Sequence, residues 1–259
     1  MQSANGHMIE VKGVHKTYDT GAVKVEALRG VNLSIKKGEM VAIMGPSGCG
    51  KTTLLNCLSG LDDINQGEVI IDGNHINQMS ERQRTHFRAQ SMGFIFQSFN
   101  LLPVLNVVEN VELPLLLSDT SPKAARQKAL AALTMVGLSG EEKKRPSELS
   151  GGQQQRVAIA RALVNEPAIV WGDEPTGNLD TDTATEVMQV LRKLNKEKGQ
   201  TFVLVTHSPD VGADADRIIR MRDGVIASDQ QNGCKGQAPR SNGEADWPIG
   251  ASEQPRRMA

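Results

Sequence analysis

Residues 45–52 form a glycine-rich segment with the pattern G-x-x-x-x-G-K-T, which is suited to holding a chain of phosphate groups. Its glycines let the backbone wrap around the phosphates and leave backbone N–H groups free to bind them. Lys51 supplies a positive charge for the outer phosphate oxygens, and Thr52 offers a hydroxyl to Mg²⁺. A buried-strand pattern precedes the segment and a helical pattern follows it, as this motif requires. The sequence therefore predicts a nucleotide-binding site.

One residue inside this loop, Cys49, has two interpretations. The N-terminus of a helix lowers the pKa of a thiol, which would make Cys49 reactive and open to redox regulation. The other interpretation is a variable position at which only the backbone contacts the nucleotide. In both cases we expect the nucleotide to contact a continuous run of residues: Gly45, Pro46, Ser47, Gly48, Cys49, Gly50, Lys51, Thr52 and Thr53.

A second glycine-rich turn, Ser150-Gly151-Gly152-Gln153, also precedes a predicted helix. The N-terminus of a helix attracts anions because its first backbone N–H groups have no partner within the helix. The residues alone leave two interpretations open. Either the chain binds two phosphate groups, or the second turn contacts a nucleotide that is held by another copy of the chain.

Polar side chains follow several predicted strands. Asp173 and Glu174 come directly after the apolar run 168–171, and an acid at the carboxyl end of a parallel strand lies beside the phosphate loop. We expect Asp173 to hold Mg²⁺ and Glu174 to orient or deprotonate the attacking water. His207, after another apolar run, is a candidate contact of the terminal phosphate, and Gln97 a candidate contact of Mg²⁺ or water. The alternatives are solvated turn acids and a structural histidine.

The order of apolar patterns along the chain predicts an α/β fold. Three short continuous apolar runs are typical of strands buried on both faces of a parallel sheet, and helical patterns lie between them. These runs are 40–44, 168–171 and 202–205. The first forty residues alternate instead, as in 9–11 and 31–35, which predicts an antiparallel β subdomain. Residues 98–158 are mainly helical in pattern and are interpreted as an inserted subdomain.

Composition and charge limit the classes of function. The net charge of −1 argues against nucleic acid as the main partner. The three cysteines, Cys49, Cys57 and Cys234, form no paired framework, which favours a reducing compartment. No apolar stretch approaches the roughly 18 residues of a membrane span. Residues 1–7 are interpreted as an extension or tag remnant, and the polar segment 228–259 as a disordered tail.

Together these residues resemble the ATP-binding cassette (ABC) family, over about residues 8–227. By that resemblance Tyr18 is placed like the aromatic residue that stacks on adenine. The matching motifs are Walker A (45–52), the Q-loop (Gln97), the signature (149–153), Walker B with its catalytic glutamate (Asp173, Glu174), the D-loop with Asp180, and the switch histidine (His207). Residues 93–97, 145–162 and 173–180 are most similar to the lipoprotein-release, macrolide-efflux and cell-division (LolD/MacB/FtsE-like) group. Trp171-Gly172 departs from that group, which usually has smaller or aliphatic residues there.

The resemblance implies a P-loop NTPase core with a parallel sheet, an N-terminal antiparallel β subdomain and an inserted α-helical subdomain. It implies an ATPase that binds ATP and Mg²⁺ and forms a head-to-tail homodimer, in which Ser150 and Gly152 contact the γ-phosphate held by the partner. It also implies a separate membrane permease and a location at the cytoplasmic face of the membrane. The alternative is a cell-division-like regulatory ATPase that signals across the membrane without transporting a substrate.

Two other classes are disfavoured. A soluble cassette acting on DNA or ribosomes is disfavoured by the single cassette and by the absence of a basic excess or a long coiled coil. A GTPase is disfavoured because no N-K-x-D string reads guanine, and residues 195–198 stop short of it.

Four of the five phenylalanines, Phe87, Phe94, Phe96 and Phe99, lie in one thirteen-residue window. Phe94 and Phe96 alternate on a predicted strand and are assigned to the core. Phe99 and the apolar residues after it, among them Leu102, are predicted to form a groove that receives a short permease helix. The alternative is that they pack under the helical subdomain.

Overall fold

The computed structural model describes residues 6–19, 21 and 23–232. Two sheets and seven α-helices are formed within these residues, with short 3₁₀ turns at Ile76–Gln78 and Pro146–Glu148. In chain order the elements are β1 (His7–Asp19), β2 (Lys24–Lys36), β3 (Met40–Met44), α1 (Lys51–Leu58), β4 (Gln66–Ile71), β5 (Asn74–His75), α2 (Glu81–Ser91), β6 (Met92–Phe96), α3 (Val107–Leu117), α4 (Pro122–Met135), α5 (Gly151–Leu163), β7 (Ile169–Asp173), α6 (Thr181–Lys198), β8 (Thr201–Thr206), α7 (Pro209–Asp214), β9 (Arg217–Arg222) and β10 (Val225–Gln231).

The larger sheet has the strand order β10-β9-β3-β8-β7-β6 and is parallel except for β10. Every residue of β3 and β8 is buried, which is why these strands are continuously apolar in sequence. The three predicted buried strands and the α/β class are thereby confirmed. The carboxyl ends of β3, β7 and β8 meet at one edge, where the candidate site is found.

The smaller sheet is antiparallel, with the order β2-β1-β4-β5. The predicted segments 9–11 and 31–35 pair in it, with Ile9 opposite Ile35 and Val11 opposite Leu33. Its apolar face packs with α1 and the parallel sheet in one core that includes Ile9, Ile35 and Trp171. This packing brings the end of β1 next to the phosphate loop.

The predicted helical segment 98–158 contains α3, α4 and most of α5, which share a second core with the sheet. Helix α3 begins after Asn106, whose side chain and that of Glu109 cap each other's backbone N–H groups. Helix α4 starts at Pro122, as the Ser121-Pro122 pair predicts. Helix α5 runs five residues beyond the predicted end of the segment, to Leu163.

Both predicted end segments are shorter than expected. Strand β1 begins at His7, the last residue of the predicted extension 1–7. His7 pairs with Lys36 of β2. Strand β10 runs to Gln231 because Asp229 and Gln230 pair with β9, so placing residues 228–231 in a polar tail was wrong. The rest of that tail, with Cys234, and residues 1–5 lie outside the described residues. Within residues 6–19, 21 and 23–232, no helix is long and apolar enough to cross a membrane.

Candidate nucleotide and catalytic site

The loop between β3 and α1 requires its glycines. Gly45, Gly48 and Gly50 all have positive φ, at 157°, 77° and 102°. A Cβ on Gly45 would lie 2.3 Å from the Met221 carbonyl oxygen, and one on Gly50 would lie 2.5 Å from the backbone oxygen of Ala27. Gly50 precedes α1 without a side-chain cap from any described residue, so the first N–H groups of α1 stay available. This arrangement fits an anion at the start of α1.

Two side chains of α1 point their polar groups back to this loop and to β7. The Lys51 ammonium donates to the carbonyl oxygens of Gly45 and Pro46 at 2.8 and 2.9 Å, which places a positive charge inside the loop. Thr52 Oγ1 lies 3.3 Å from Asp173 Oδ1. Burial raises the pKa of Asp173, and the hydrogen bond from Thr52 opposes that shift. A hydroxyl beside a carboxylate is the oxygen-donor set that Mg²⁺ prefers, so these two residues fit the ion.

A cavity of about 650 Å³ opens over the phosphate loop. Its volume is in the range of small-molecule sites. Its lining includes Tyr18 and Val25 from the antiparallel sheet, together with Ser47, Gly48, Lys51, Thr52, Thr53 and Glu174. The predicted adenine-stacking residue, Tyr18, therefore faces the same cavity as the phosphate loop.

Hydrogen bonds from the end of β8 orient the carboxylate of Glu174. Thr206 Oγ1 donates to Oε2 at 3.0 Å, and the backbone N–H of His207 donates to Oε1 at 3.1 Å. The ring nitrogen Nδ1 of His207 lies 2.7 Å from the same Oε1. Glu174 itself has a φ of 48°, a left-handed backbone conformation that residues other than glycine rarely adopt. Its N–H donates to the Val205 carbonyl, which holds this conformation. A carboxylate fixed in this way at the cavity can take a proton from water.

The Gln97 side chain bonds to Asn178, and it does not line the cavity over the phosphate loop. Its side-chain Nε2 donates to Asn178 Oδ1 at 3.2 Å, and Asn178 Nδ2 donates to the backbone oxygen of Gln97 at 3.0 Å. The reason is the strand order. Strand β6 is next to β7, where Phe96 pairs with Asp173, but it is the third neighbour of β3 and so lies about three strand spacings of about 4.8 Å from the phosphate loop. Contact of Gln97 with the metal remains a prediction.

The signature residues are also separate from the phosphate loop of their own chain. Ser150 and Gln153 cap the start of α5 reciprocally, with Gln153 N–H donating to Ser150 Oγ at 3.3 Å. Gly152 packs so tightly on α6 that a Cβ would lie 2.2 Å from Thr183 Cγ2. Asp180 caps α6 by accepting from the Thr183 N–H at 3.0 Å, which lowers the pKa of Asp180. Among the described residues, those lining the 650 Å³ cavity include none of these four, nor Gly151.

Sequence reasoning missed Thr206, Lys16 and Asp62. Thr206 is the last residue of an apolar strand and gives no signal in the sequence, but its hydroxyl donates to the Glu174 carboxylate. Lys16 Nζ donates to Asp62 Oδ1 at 2.6 Å, next to the residue predicted to stack on adenine, Tyr18. The available signal was the alternation of β1, which places residues 16 and 18 on the same side of the strand. Cys49 and Cys57 are both buried, so the Cys49 side chain packs inside the loop.

An open apolar cavity lies on β6, beside the loop for which the permease groove is predicted. Phe94 and Phe96 are stacked, with ring centroids 6.0 Å apart, and both line an open apolar cavity of about 370 Å³ together with Leu113 and Leu117. Their assignment to the core holds only in part, since both are partly buried and Phe94 packs against the core that contains Trp171. The Phe99 ring lies near Gly151 instead, and Leu102 is exposed; neither lines this cavity. Phe94 and Phe96 are on the edge strand β6, which leaves one side of their rings uncovered by the sheet.

Comparison with known proteins agrees with this geometry. The family described as "ABC transporter" matches residues 28–177. The chain is 51% identical over 219 residues to an ABC transporter ATP-binding protein of Methanocaldococcus jannaschii, covering 85% of this chain and 97% of that one. It is 45% identical over 248 residues to the macrolide export ATP-binding/permease protein MacB of Bdellovibrio bacteriovorus, covering 93% of this chain and 38% of that one. The chain thus spans only about a third of such ATP-binding/permease relatives.

Solved structures give the same result. The chain superposes with a TM-score of 0.80 on the ATP-binding cassette MJ0796, solved as a dimeric post-hydrolysis state bound to ADP and Pi. The two are 46% identical, and the match covers 87% of this chain and 99% of that one. A second match with a TM-score of 0.80 is cbiO1 from Clostridium perfringens, at 29% identity, with 88% and 90% of the two chains covered. With its phosphate loop, its oriented glutamate and these relatives, the chain belongs to the ABC transporter family as one of its ATPase cassettes.

Proposed function

We propose that this cassette hydrolyses ATP with Mg²⁺ as a head-to-tail pair of identical subunits, and that it drives a separate membrane permease from the cytoplasmic face. In this proposal Tyr18 stacks on the base, and residues 45–53 hold the phosphates. Thr52 and Asp173 hold Mg²⁺, which neutralises charge on the outer phosphates when bound. The remaining steps are carried out by side chains of the protein.

Glu174 is the general base of the proposed reaction. Its carboxylate takes a proton from water, the water oxygen bonds to the γ-phosphorus, and the bond from that phosphorus to the ADP oxygen breaks. Thr206 and the His207 N–H keep the carboxylate oriented, since both donate to it. Lys51 stabilises the charge on the outer phosphate oxygens. His207, within 2.7 Å of Glu174, is proposed to contact the γ-phosphate once the nucleotide is bound.

The observation that carries the head-to-tail arrangement is the separation of the two anion-binding helix starts. The start of α1 lines the nucleotide cavity, but the start of α5 does not. Ser150 is exposed, and because its oxygen accepts from Gln153, its hydroxyl hydrogen remains free to donate. A second copy of the chain, related by a two-fold axis, would supply this group to the open side of each cavity. The relative MJ0796 was solved as a dimer, which supports the proposal.

The permease partner is supported by the relatives and by the apolar cavity on β6. In MacB the ATP-binding part and a permease are joined in one protein, as its printed name states. Phe94, Phe96 and Leu117 offer an apolar surface with Arg88 and Arg161 at its borders, which suits an amphipathic helix. The Q-loop residue Gln97 follows this strand directly, so a partner bound here would be linked to the site. None of the described contacts favours the regulatory alternative.

The head-to-tail arrangement is tested by mixing two damaged subunits. Lys51→Ala removes the phosphate-binding ammonium, and Ser150→Arg blocks the group offered to the partner. Both are made with Glu174→Gln, so that bound ATP is not consumed. A mixture can assemble one site with neither lesion, because Lys51 then comes from one subunit and Ser150 from the other. We expect ATP-induced dimers by light scattering in the mixture and in neither variant alone.

The control is a single chain that carries both lesions. All its sites are damaged, so it should stay monomeric with ATP. Dimers of this double variant as abundant as those of the Glu174→Gln parent would overturn the head-to-tail model. An intact fold is checked by the unfolding midpoint of each variant without nucleotide.

A further inference from the structure

A buried lysine lies beside Tyr18, the residue proposed to stack on the nucleotide base. Lys16 is only 8% exposed, although lysine is almost never buried without a partner. Its ammonium donates to Asp62 Oδ1 at 2.6 Å and to the Asp63 carbonyl at 2.7 Å. It also stands 4.8 Å from the centre of the Tyr18 ring. The charge is thereby compensated on one side by a carboxylate and on the other by an aromatic face.

The same carboxylate also holds the Tyr18 hydroxyl. Tyr18 OH donates to Asp62 Oδ2 at 2.7 Å, so Asp62 joins the lysine and the tyrosine. Burial, followed by the hydrogen bond to Asp62, raises the pKa of Tyr18 to about 12, which keeps the phenol neutral and a donor. Burial would raise the pKa of Asp62, but the bonds from Lys16 and Tyr18 outweigh it and lower that pKa.

The loop that carries Asp62 is tied to β1 by its backbone. Thr17 N–H donates to Asn65 Oδ1 at 2.6 Å, and Asn65 N–H donates to the His15 carbonyl at 2.9 Å. These bonds fix the distance between Asp62 and the strand that carries Lys16 and Tyr18. The three side chains therefore form one connected set, and Tyr18 has a further side-chain hydrogen bond with Thr53.

We propose that Lys16 and Asp62 are positioning residues that hold the Tyr18 ring as a preformed stacking platform for the nucleotide base. This inference rests on the proposed function. The ammonium occupies one face of the ring and the hydroxyl is anchored, so the ring presents its other face to the cavity that holds the phosphate loop. An anchored ring loses no rotational freedom when the base binds, and preorganisation of this kind strengthens binding.

This arrangement also defines what the platform recognises. Stacking reads the flat face of a base and not its hydrogen-bonding edge. Lys16 and Asp62 therefore contribute to the affinity for any purine nucleotide and nothing to the affinity for a bare phosphate chain. That difference separates positioning of the ring from general support of the fold.

The experiment compares a ligand with a base and one without. Lys16→Met keeps the length and apolar packing of the side chain and removes its charge, and Lys16→Arg restores a cation. Lys12→Met is the matched control, since Lys12 is an exposed lysine of the same strand. The dissociation constant of MgADP is measured by calorimetry, and the inhibition constant of inorganic tripolyphosphate by its effect on ATP hydrolysis.

For Lys16→Met we expect MgADP to bind about 2- to 12-fold more weakly, the cost of immobilising a freed side chain when the base binds. Tripolyphosphate inhibition stays unchanged, KM for ATP rises and kcat is retained. Lys16→Arg recovers most of the affinity, and Lys12→Met resembles the wild type. In a Tyr18→Ala background, Lys16→Met should have no further effect on MgADP. Asp62→Asn, at a partly exposed site, repeats the test if Lys16→Met unfolds.

Equal weakening of MgADP and tripolyphosphate would overturn the inference, because it would show a general loss of structure. An unchanged MgADP affinity in both Lys16→Met and Asp62→Asn would also overturn it. If the wild-type protein binds neither ligand, the proposed function fails, and this result is distinct from failure of the platform alone.

Discussion

Two helices of this cassette begin at glycine-rich segments, but the two helix starts use their backbone N–H groups differently. At α1, Gly50 supplies no side chain, and the first N–H groups face a cavity. At α5, the Ser150 side chain accepts a hydrogen bond from the Gln153 N–H. This turn packs against α6, outside that cavity. In the proposed function, similar local sequence therefore gives one anion site within a single chain and one that a second copy completes. Packing around the turn, rather than its glycines, decides which of the two results.

The largest expected effect is on turnover, and it tests whether Glu174, at the cavity beside the α1 start, is the catalytic base. Glu174→Gln keeps the size of the side chain and its acceptor oxygen but removes its ability to take a proton. We expect turnover at saturating ATP to fall by about 10²- to 10⁴-fold. MgATP binding should be retained, because the phosphate-binding groups are unchanged. Turnover within a few-fold of the wild type would move the catalytic role to another group.

The second prediction concerns the backbone of the α1 start. Gly50→Ala puts a Cβ 2.5 Å from the Ala27 backbone oxygen at φ 102°. Backbone atoms cannot move aside easily, so strain and overlap should together lower the free energy of unfolding by about 2–5 kcal/mol. Denaturant unfolding without nucleotide measures this change. Gly48→Ala is the matched control, since it has a positive φ but nothing within 4 Å of the added Cβ, and it should cost about 1–2 kcal/mol.

The α5 start should respond more mildly, because its glycine meets a side chain. In Gly152→Ala the new Cβ would lie 2.2 Å from Thr183 Cγ2, which costs about 1–3 kcal/mol, while alanine returns up to about 1 kcal/mol of helix propensity. A net loss of about 0–3 kcal/mol of unfolding free energy is expected. Thr183→Ser removes the opposing methyl group and should restore stability.

Gly151→Ala provides the control for this position. Its Cβ would lie 3.4 Å from Leu179 Cδ2, an ordinary contact, so the substitution should be neutral or slightly stabilising. If Gly151→Ala lowers the unfolding free energy as much as Gly152→Ala does, the loss at Gly152 does not come from its close packing on α6.

The sequence was most informative where local pattern and burial coincide. Apolar runs such as 202–205 predict buried strands because a parallel sheet leaves them no polar face. The geometry of the loop at residues 45–52 was predictable to the residue, since its positive-φ glycines and the contacts of Lys51 all lie within one short segment. Phe94 and Phe96 are only partly buried because β6 is an edge strand, which alternation does not reveal. Thr206, Lys16 and Asp62 were missed because their roles depend on contacts between separate elements.

The smallest expected effect separates the two roles of Ser150. Its oxygen caps α5, and its hydrogen is proposed to serve the partner's nucleotide. Asparagine caps a helix about as well as serine, whereas alanine costs about 1 kcal/mol, so Ser150→Asn should unfold like the wild type and Ser150→Ala should not. Both variants lose the hydroxyl, and both should weaken the ATP-induced dimer in the Glu174→Gln background. If dimer strength instead follows unfolding stability, so that Ser150→Asn pairs normally, Ser150 serves the helix alone and the open site at α5 must bind through its backbone.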